Sequence, residues 1–130
     1  MEYLFVYGSL KSTQPANEGT DLMKSSNLIG DATVPGRLYD FGDFSGAVID
    51  VQSRDQIHGE IFQLPDPAAE NLKALDAYEE FDPSNPQQSL FVRRTISAML
   101  SDGRRLNCWI YVYNREPGAA RQILGGMFAE

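Results

Sequence analysis

A single cysteine, Cys108, and a single histidine, His58, are all that this 130-residue chain holds of the two residue types that most often bind zinc. One thiol cannot staple the fold, and a reducing, cytoplasmic setting is the expectation. Cations are scarce too: 11 Lys and Arg stand against 18 Asp and Glu, a net charge of −7. Such a surface repels phosphate backbones, so nucleic acid is not an expected partner. Nor is a membrane, because no apolar run approaches the roughly 18–20 residues that a spanning helix needs. The opening MEYLFVYGS carries an acid where a secretory signal carries positive charge, and it reaches glycine too soon. No repeat or low-complexity tract interrupts the chain.

What is present suits one soluble domain over residues 1–130, with 42% hydrophobic and 22% charged residues. Residues 2–7 (EYLFVY) are apolar on both faces and predict a buried strand that stops at Gly8-Ser9. A short helix is expected around 15–24. From 28 onward the runs LIGDATVPGRLYDF, SGAVIDV and IHGEIFQL read as strands bounded by Gly, Pro or Asp. LFVRRTISAML and RLNCWIYVYN follow later, and the SDGR between them is a hairpin signal. The tail after Pro117 predicts a short helix around 118–124. These elements describe an α+β fold. Its core is a small, mostly antiparallel β-barrel of five to six strands, with one main helix and short peripheral helices.

That main helix lies in DPAAENLKALDAYEEF, with Asp66 as the expected N-cap and Pro67 as its first residue. Helical spacing puts Ala68, Leu72 and Leu75 on one stripe, and the same stripe reaches Glu79. Glu80, Lys73 and Asp76 are expected on the solvent side. A carboxylate on an apolar face costs several kcal/mol unless it has partners or a task. Burial also raises its pKa towards values useful for proton transfer at neutral pH. The plainer alternative is a helix that frays at Tyr78 and lets Glu79 turn outward.

The ordered set YGSL, TVPGRLYDFG, IHGEIFQL, LDAYEEF, FVRR and WIYVY resembles the γ-glutamylcyclotransferase-like family, which includes AIG2-like proteins and γ-glutamylamine cyclotransferases. The resemblance runs from about residue 3 to 114. It implies that Tyr7, Gly8, Ser9 and Leu10 form a loop whose backbone N–H groups hold the γ-glutamyl part of a substrate. It also implies that Glu79, closing Asp76-Ala77-Tyr78-Glu79, is the catalytic acid/base. The implied reaction is attack of the free α-amine on the side-chain amide carbonyl, giving 5-oxoproline and a released amine. No cofactor or metal is expected. This chain departs from the pattern at Glu80, where relatives usually have glycine, at Phe44-Ser45-Gly46, at Phe91 and in the tail ILGGMFAE.

Three further residues are candidates for substrate contact: Tyr39, Arg93 and Tyr113. Core filling for the tyrosines and a solvated Arg93–Arg94 pair are the alternatives. A Ser9–His58–Asp40 triad is a weaker possibility, since IHGEIF gives His58 a structural place in a strand. Cys108, flanked by apolar residues, reads as a buried small hydrophobe. A non-catalytic barrel that binds a small metabolite is the competing functional class. The expected partner is a small γ-glutamyl molecule, and the sequence leaves monomer and homodimer both open.

Overall fold

The computed structural model describes residues 1–8, 11 and 18–126. Seven strands and two α-helices follow in the order β1 (Tyr3–Val6), α1 (Glu18–Leu22), β2 (Asn27–Asp40), β3 (Ser45–Ile49), β4 (Gln56–Gln63), α2 (Ala69–Tyr78), β5 (Phe91–Leu100), β6 (Arg105–Tyr113) and β7 (Arg121–Gln122). Five of the strands, in the order β2-β4-β1-β6-β5, close into a barrel. The seam between β2 and β5 is short, pairing Ala32 with Leu100 and Thr33 with Met99. All barrel pairings are antiparallel except that of β1 with β6. β2 continues past the barrel, where Gly36–Asp40 pair with β3.

Alternation along each strand divides the apolar residues between two cores. Phe5 of β1 and Tyr7 just beyond it face the barrel interior with Ile57, Ile61, Ile110 and Val112. Leu4 and Val6 face outward and are covered by Leu72 and Leu75 of α2. This is why EYLFVY is apolar on both faces. Burial of each of these leucines stabilises the fold by roughly 1.5–3 kcal/mol. β1 presses closely onto β4, because a Cβ on Gly59 would collide with the Val6 carbonyl and lie 2.7 Å from the Phe5 ring. Only glycine fits there.

Two local expectations are corrected. Asp66 does not cap α2: the N-cap is Ala68, which makes no side-chain cap bond, while Asp66 and Pro67 lie exposed ahead of the helix. Burial of Ala68 against the barrel places the start of the helix. The segment 118–124 is not helical, because Arg121 and Gln122 pair with Asp40 and Tyr39 at the edge of β2. The Ile123 N–H then donates to the Leu38 carbonyl at 2.7 Å. Open backbone positions on β2 outweigh a weak local helix preference. The expected helix around 15–24 is observed at its far end as α1; residues 12–17 lie outside the described residues.

Candidate active site

Glu79 follows the last residue of α2 as its C-cap, and its N–H still donates to the Leu75 carbonyl at 2.9 Å. The helix therefore holds long enough to keep Glu79 on the stripe of Leu72 and Leu75. It then ends in a Schellman motif: Phe81 N–H donates to the Asp76 carbonyl at 2.8 Å and Glu80 N–H to that of Ala77 at 3.2 Å. The motif needs a left-handed residue, and Glu80 takes it with φ 57°. A side chain in that conformation costs roughly 1–2 kcal/mol, which is why glycine is usual there.

The half-buried Glu79 carboxyl opens on a cavity of about 440 Å3 at one end of the barrel. That size lies within the range of about 300–1,000 Å3 typical of small-molecule sites. The end of β1 and the two residues after it, Val6-Tyr7-Gly8, form one wall, and Asp43–Ser45 at the entry to β3 form another. Phe5, Tyr7, Phe44, Tyr78, Phe91 and Tyr111 make the lining strongly aromatic. Burial, and secondarily the charge of neighbouring Glu80, push the pKa of Glu79 up to about 7. A larger groove of about 680 Å3 on the barrel wall has Arg105 as its one ionisable residue among those described, and offers no acid/base pair.

Tyr7 is fixed at both ends of its hydroxyl. It donates to the Tyr111 carbonyl at 2.7 Å and accepts from the Ala47 N–H at 3.3 Å. Burial, reinforced by the charge of Glu79, raises its pKa far above that of a free phenol, so Tyr7 is a neutral wall. Gly8 lines the cavity and its carbonyl accepts from Lys11 N–H at 3.0 Å. Ser9 and Leu10 lie outside the described residues. Behind the lining, Gly46 lets the Phe41 and Tyr113 rings pack close to β3, since a Cβ there would lie 2.8 Å from the Phe41 ring.

Asp76 corrects the sequence reading most. It is buried, not solvated, and it accepts from three donors: Tyr111 Oη at 2.6 Å and Arg93 Nε and Nη2 at 2.8 and 3.2 Å. Arg93 also lies 4.3 Å over the Trp109 ring. It is thus engaged on the outer face of the barrel beneath α2 and does not line the cavity. Tyr39 does not line it either; its hydroxyl accepts from Arg37 Nε at 3.2 Å. Tyr113 stands one layer back, stacked on Phe41 at 4.2 Å and edge-on to Phe91 at 5.9 Å. The lining tyrosines that the sequence reading missed are Tyr78 and Tyr111. A signal for the partner of Tyr111 was available: Leu72 plus four is Asp76, so the stripe that reaches Glu79 also contains the aspartate.

No triad forms among the described residues. His58 faces a groove beside Gly125 and Gly126, and its backbone N–H donates to the Gly126 carbonyl at 2.7 Å. Asp40 accepts from the Gly42 N–H at 2.8 Å and lies 3.9 Å from Arg121. Cys108 is buried, and that burial pushes its thiol up to about 12, so it is no nucleophile. Among the described residues, no group of three or more His, Cys, Asp and Glu is placed to hold a metal ion. No described helix is long and apolar enough to cross a membrane.

Similarity to known proteins runs along nearly the whole chain. A family model described as gamma-glutamyl cyclotransferase, AIG2-like, matches residues 4–130. A protein of Methanocaldococcus jannaschii, provisionally named a gamma-glutamylcyclotransferase, is 23% identical over 118 residues, which span 91% of this chain and 89% of that one. The solution structure of ytfP from Escherichia coli superposes with a TM-score of 0.65 at 26% identity, covering 97% of this chain and 95% of its own. An AIG2-like protein from Mus musculus gives a TM-score of 0.67 at 18% identity, over 90% of this chain and 80% of that one. This chain belongs to the AIG2-like gamma-glutamyl cyclotransferase family.

Proposed function

We propose that this protein cyclises the γ-glutamyl group of a γ-glutamyl amine or γ-glutamyl amino acid to 5-oxoproline and releases the amine. The observation that carries the reading is Glu79: a half-buried carboxyl with a pKa near 7, facing a cavity walled by Tyr7 and Gly8. In the reaction the α-ammonium of the substrate gives a proton to the Glu79 carboxylate. The freed nitrogen attacks the γ-carbonyl carbon, and the new C–N bond closes a five-membered ring. The oxyanion then collapses, the old C–N bond breaks, and the leaving nitrogen takes the proton back from Glu79, while the ring nitrogen gives up its second proton, which the released amine carries away as its ammonium. One group serves as base and then acid, and a pKa near the working pH suits it to both tasks.

Much of the rate comes from folding the substrate so that its amine meets its own carbonyl. The aromatic cavity is suited to that task, and backbone N–H groups of the Gly8–Leu10 loop are the proposed cradle for the substrate carboxylate or the oxyanion. Every atom of the products comes from the substrate, so the proposed reaction needs no cofactor. A cytoplasmic site of action is part of the same proposal, and the free thiol of Cys108 suits a reducing compartment.

The test is release of 5-oxoproline from a panel of γ-glutamyl amines and dipeptides, with Glu79→Gln as the control. Turnover by wild type that Glu79→Gln lowers by about 10²–10⁴-fold supports the mechanism. Turnover that survives the substitution refutes it. Ligand binding without turnover on any panel member favours a binding module instead.

A further inference from the structure

Glu79 lies inside a closed turn whose other end is a second buried carboxyl residue. The Asp76 carbonyl accepts the Phe81 N–H that ends α2, so Glu79 sits within the loop this bond closes. The Asp76 side chain then fixes that loop to two strands. Tyr111 of β6 donates to it at 2.6 Å, and Arg93 of β5 donates from Nε and Nη2 at 2.8 and 3.2 Å. The guanidinium itself lies over Trp109, whose indole N–H donates to Glu2 at 2.7 Å. A buried ion pair adds little net stability over an apolar pair of the same size. What it does supply is a fixed place and a cancelled charge.

The cancelled charge matters because little else around Glu79 could offset it. Lining the same cavity are Tyr7 after β1, Tyr111 of β6 and Asp43 at the entry to β3, with Tyr78 and Glu80 beside it in the chain. Phe91 of β5 brings no charge. No Lys, Arg or His lines the cavity among the described residues; Lys11 lies outside the lining, and Lys73 is exposed on the outer side of α2. The Tyr111 hydroxyl marks where the charges meet. Burial above all, then its bond to Asp76 and that residue's charge, raise its pKa far above that of a free phenol. Arg93 opposes the rise and Glu79 adds to it. One hydroxyl thus senses Asp76, Arg93 and Glu79 together.

We propose that Arg93, which does not line the cavity, is a positioning residue for Glu79. Its fork onto Asp76 holds the end of α2 against the cavity wall, and its charge cancels the aspartate one turn behind the acid/base. Without the guanidinium, the Asp76 carboxylate would disfavour ionisation of Glu79, as a like charge does. Without the carboxylate, the guanidinium would favour it. The role in turnover rests on the cyclotransferase reading; the effect on the Glu79 carboxyl does not.

Titration of the Glu79 carboxyl by carbon NMR in the free protein tests this, alongside the pH dependence of kcat/KM for γ-glutamyl amides. Arg93→Gln is expected to move the midpoint to higher pH by about one pH unit, and Asp76→Asn to move it lower by a similar amount. Arg93→Gln/Asp76→Asn, with both charges gone, returns it to the wild-type value, a coupling that a purely structural pair would not show. Arg93→Lys keeps the charge but not the fork, so the midpoint stays and kcat falls about tenfold at unchanged KM. Single-variant midpoints that stay in place, or that move the same way, overturn the proposal. If the single variants do not fold, a displaced midpoint in the double variant or a wild-type kcat in Arg93→Lys overturns it. Opposite displacements without turnover of any amide uphold the charge balance and remove the reaction. Turnover with unmoved midpoints removes the proposal and leaves the reaction.

Discussion

The phenol of Tyr111 donates to Asp76 Oδ1 at 2.6 Å, one helical turn before Glu79. The contact ties the end of α2 to β6, so the strand that supplies a cavity wall also anchors the helix that supplies the acid. Arg93 closes the arrangement with a forked pair to the same carboxylate. Removing Asp76 leaves a largely buried guanidinium and a buried hydroxyl without their acceptor. Asp76→Ala is expected to lose about 3–5 kcal/mol of stability, measured by urea unfolding. Tyr111→Phe deletes one donor only, and its loss should stay near 1–2 kcal/mol. Equal losses for the two variants would count against a shared anchor.

Glu79 links stability to pH with a definite sign. Its pKa rises from 4.5 in the unfolded chain to about 7 in the fold. Between those values the folded state keeps a proton that the unfolded state has lost, so stability falls as pH rises through that window. Below about 4.5 the contribution is fully present; above about 7 it is gone. Glu79→Gln should flatten this part of the curve, and the variant should match or exceed wild type in stability at pH 8. For turnover the dependence is opposite, because the base form fills as pH rises. The acid limb of kcat/KM is expected near pH 7, and a limb near the ordinary carboxylate value contradicts the burial argument.

Glu80→Gly separates strain from charge. Glycine takes the left-handed position freely, so the variant should gain about 1 kcal/mol in chemical unfolding. It also removes the charge beside Glu79, so the acid limb of the pH–rate profile should move to lower pH. A variant that is less stable than wild type would show that the Glu80 side chain makes contacts that outweigh its backbone cost.

Gly59→Ala is expected to be among the most harmful single changes on the barrel wall. The added methyl meets the Val6 carbonyl and the Phe5 ring, and backbone cannot move aside cheaply. A loss of about 1–3 kcal/mol or more should accompany it. Thermal unfolding checks this, and a melting temperature within a degree of wild type would contradict the close approach of β1 to β4.

The strands were legible because their alternation is local: Phe5 and Tyr7 against Leu4 and Val6 can be read from six letters. Glu79 was legible for the same reason, since three apolar positions on one stripe forecast the fourth. Asp76 was misread although the same spacing reaches it, because its partners Arg93 and Tyr111 come from strands that follow later in the chain. A buried carboxylate is recognisable only when its donors are known. Tyr113 was named and Tyr111 was not, because the sequence does not say which residue of β6 stands at the cavity. Ser9 and Leu10, on which the substrate-loop expectation partly rests, lie outside the described residues.

The position of β1 between β4 and β6 also sets an order of assembly. Tyr3–Val6 are synthesised well before their neighbour β6, which begins only at Arg105. The cavity wall at Tyr7 and Gly8 must therefore wait for some hundred residues of synthesis before its strand is flanked on both sides. Until then the two apolar faces of β1 are open to other chains, a hazard of pairing partners so distant in sequence. β1 is made before the other strands of the barrel and is among the last to be enclosed, and the pocket exists only once the barrel is shut.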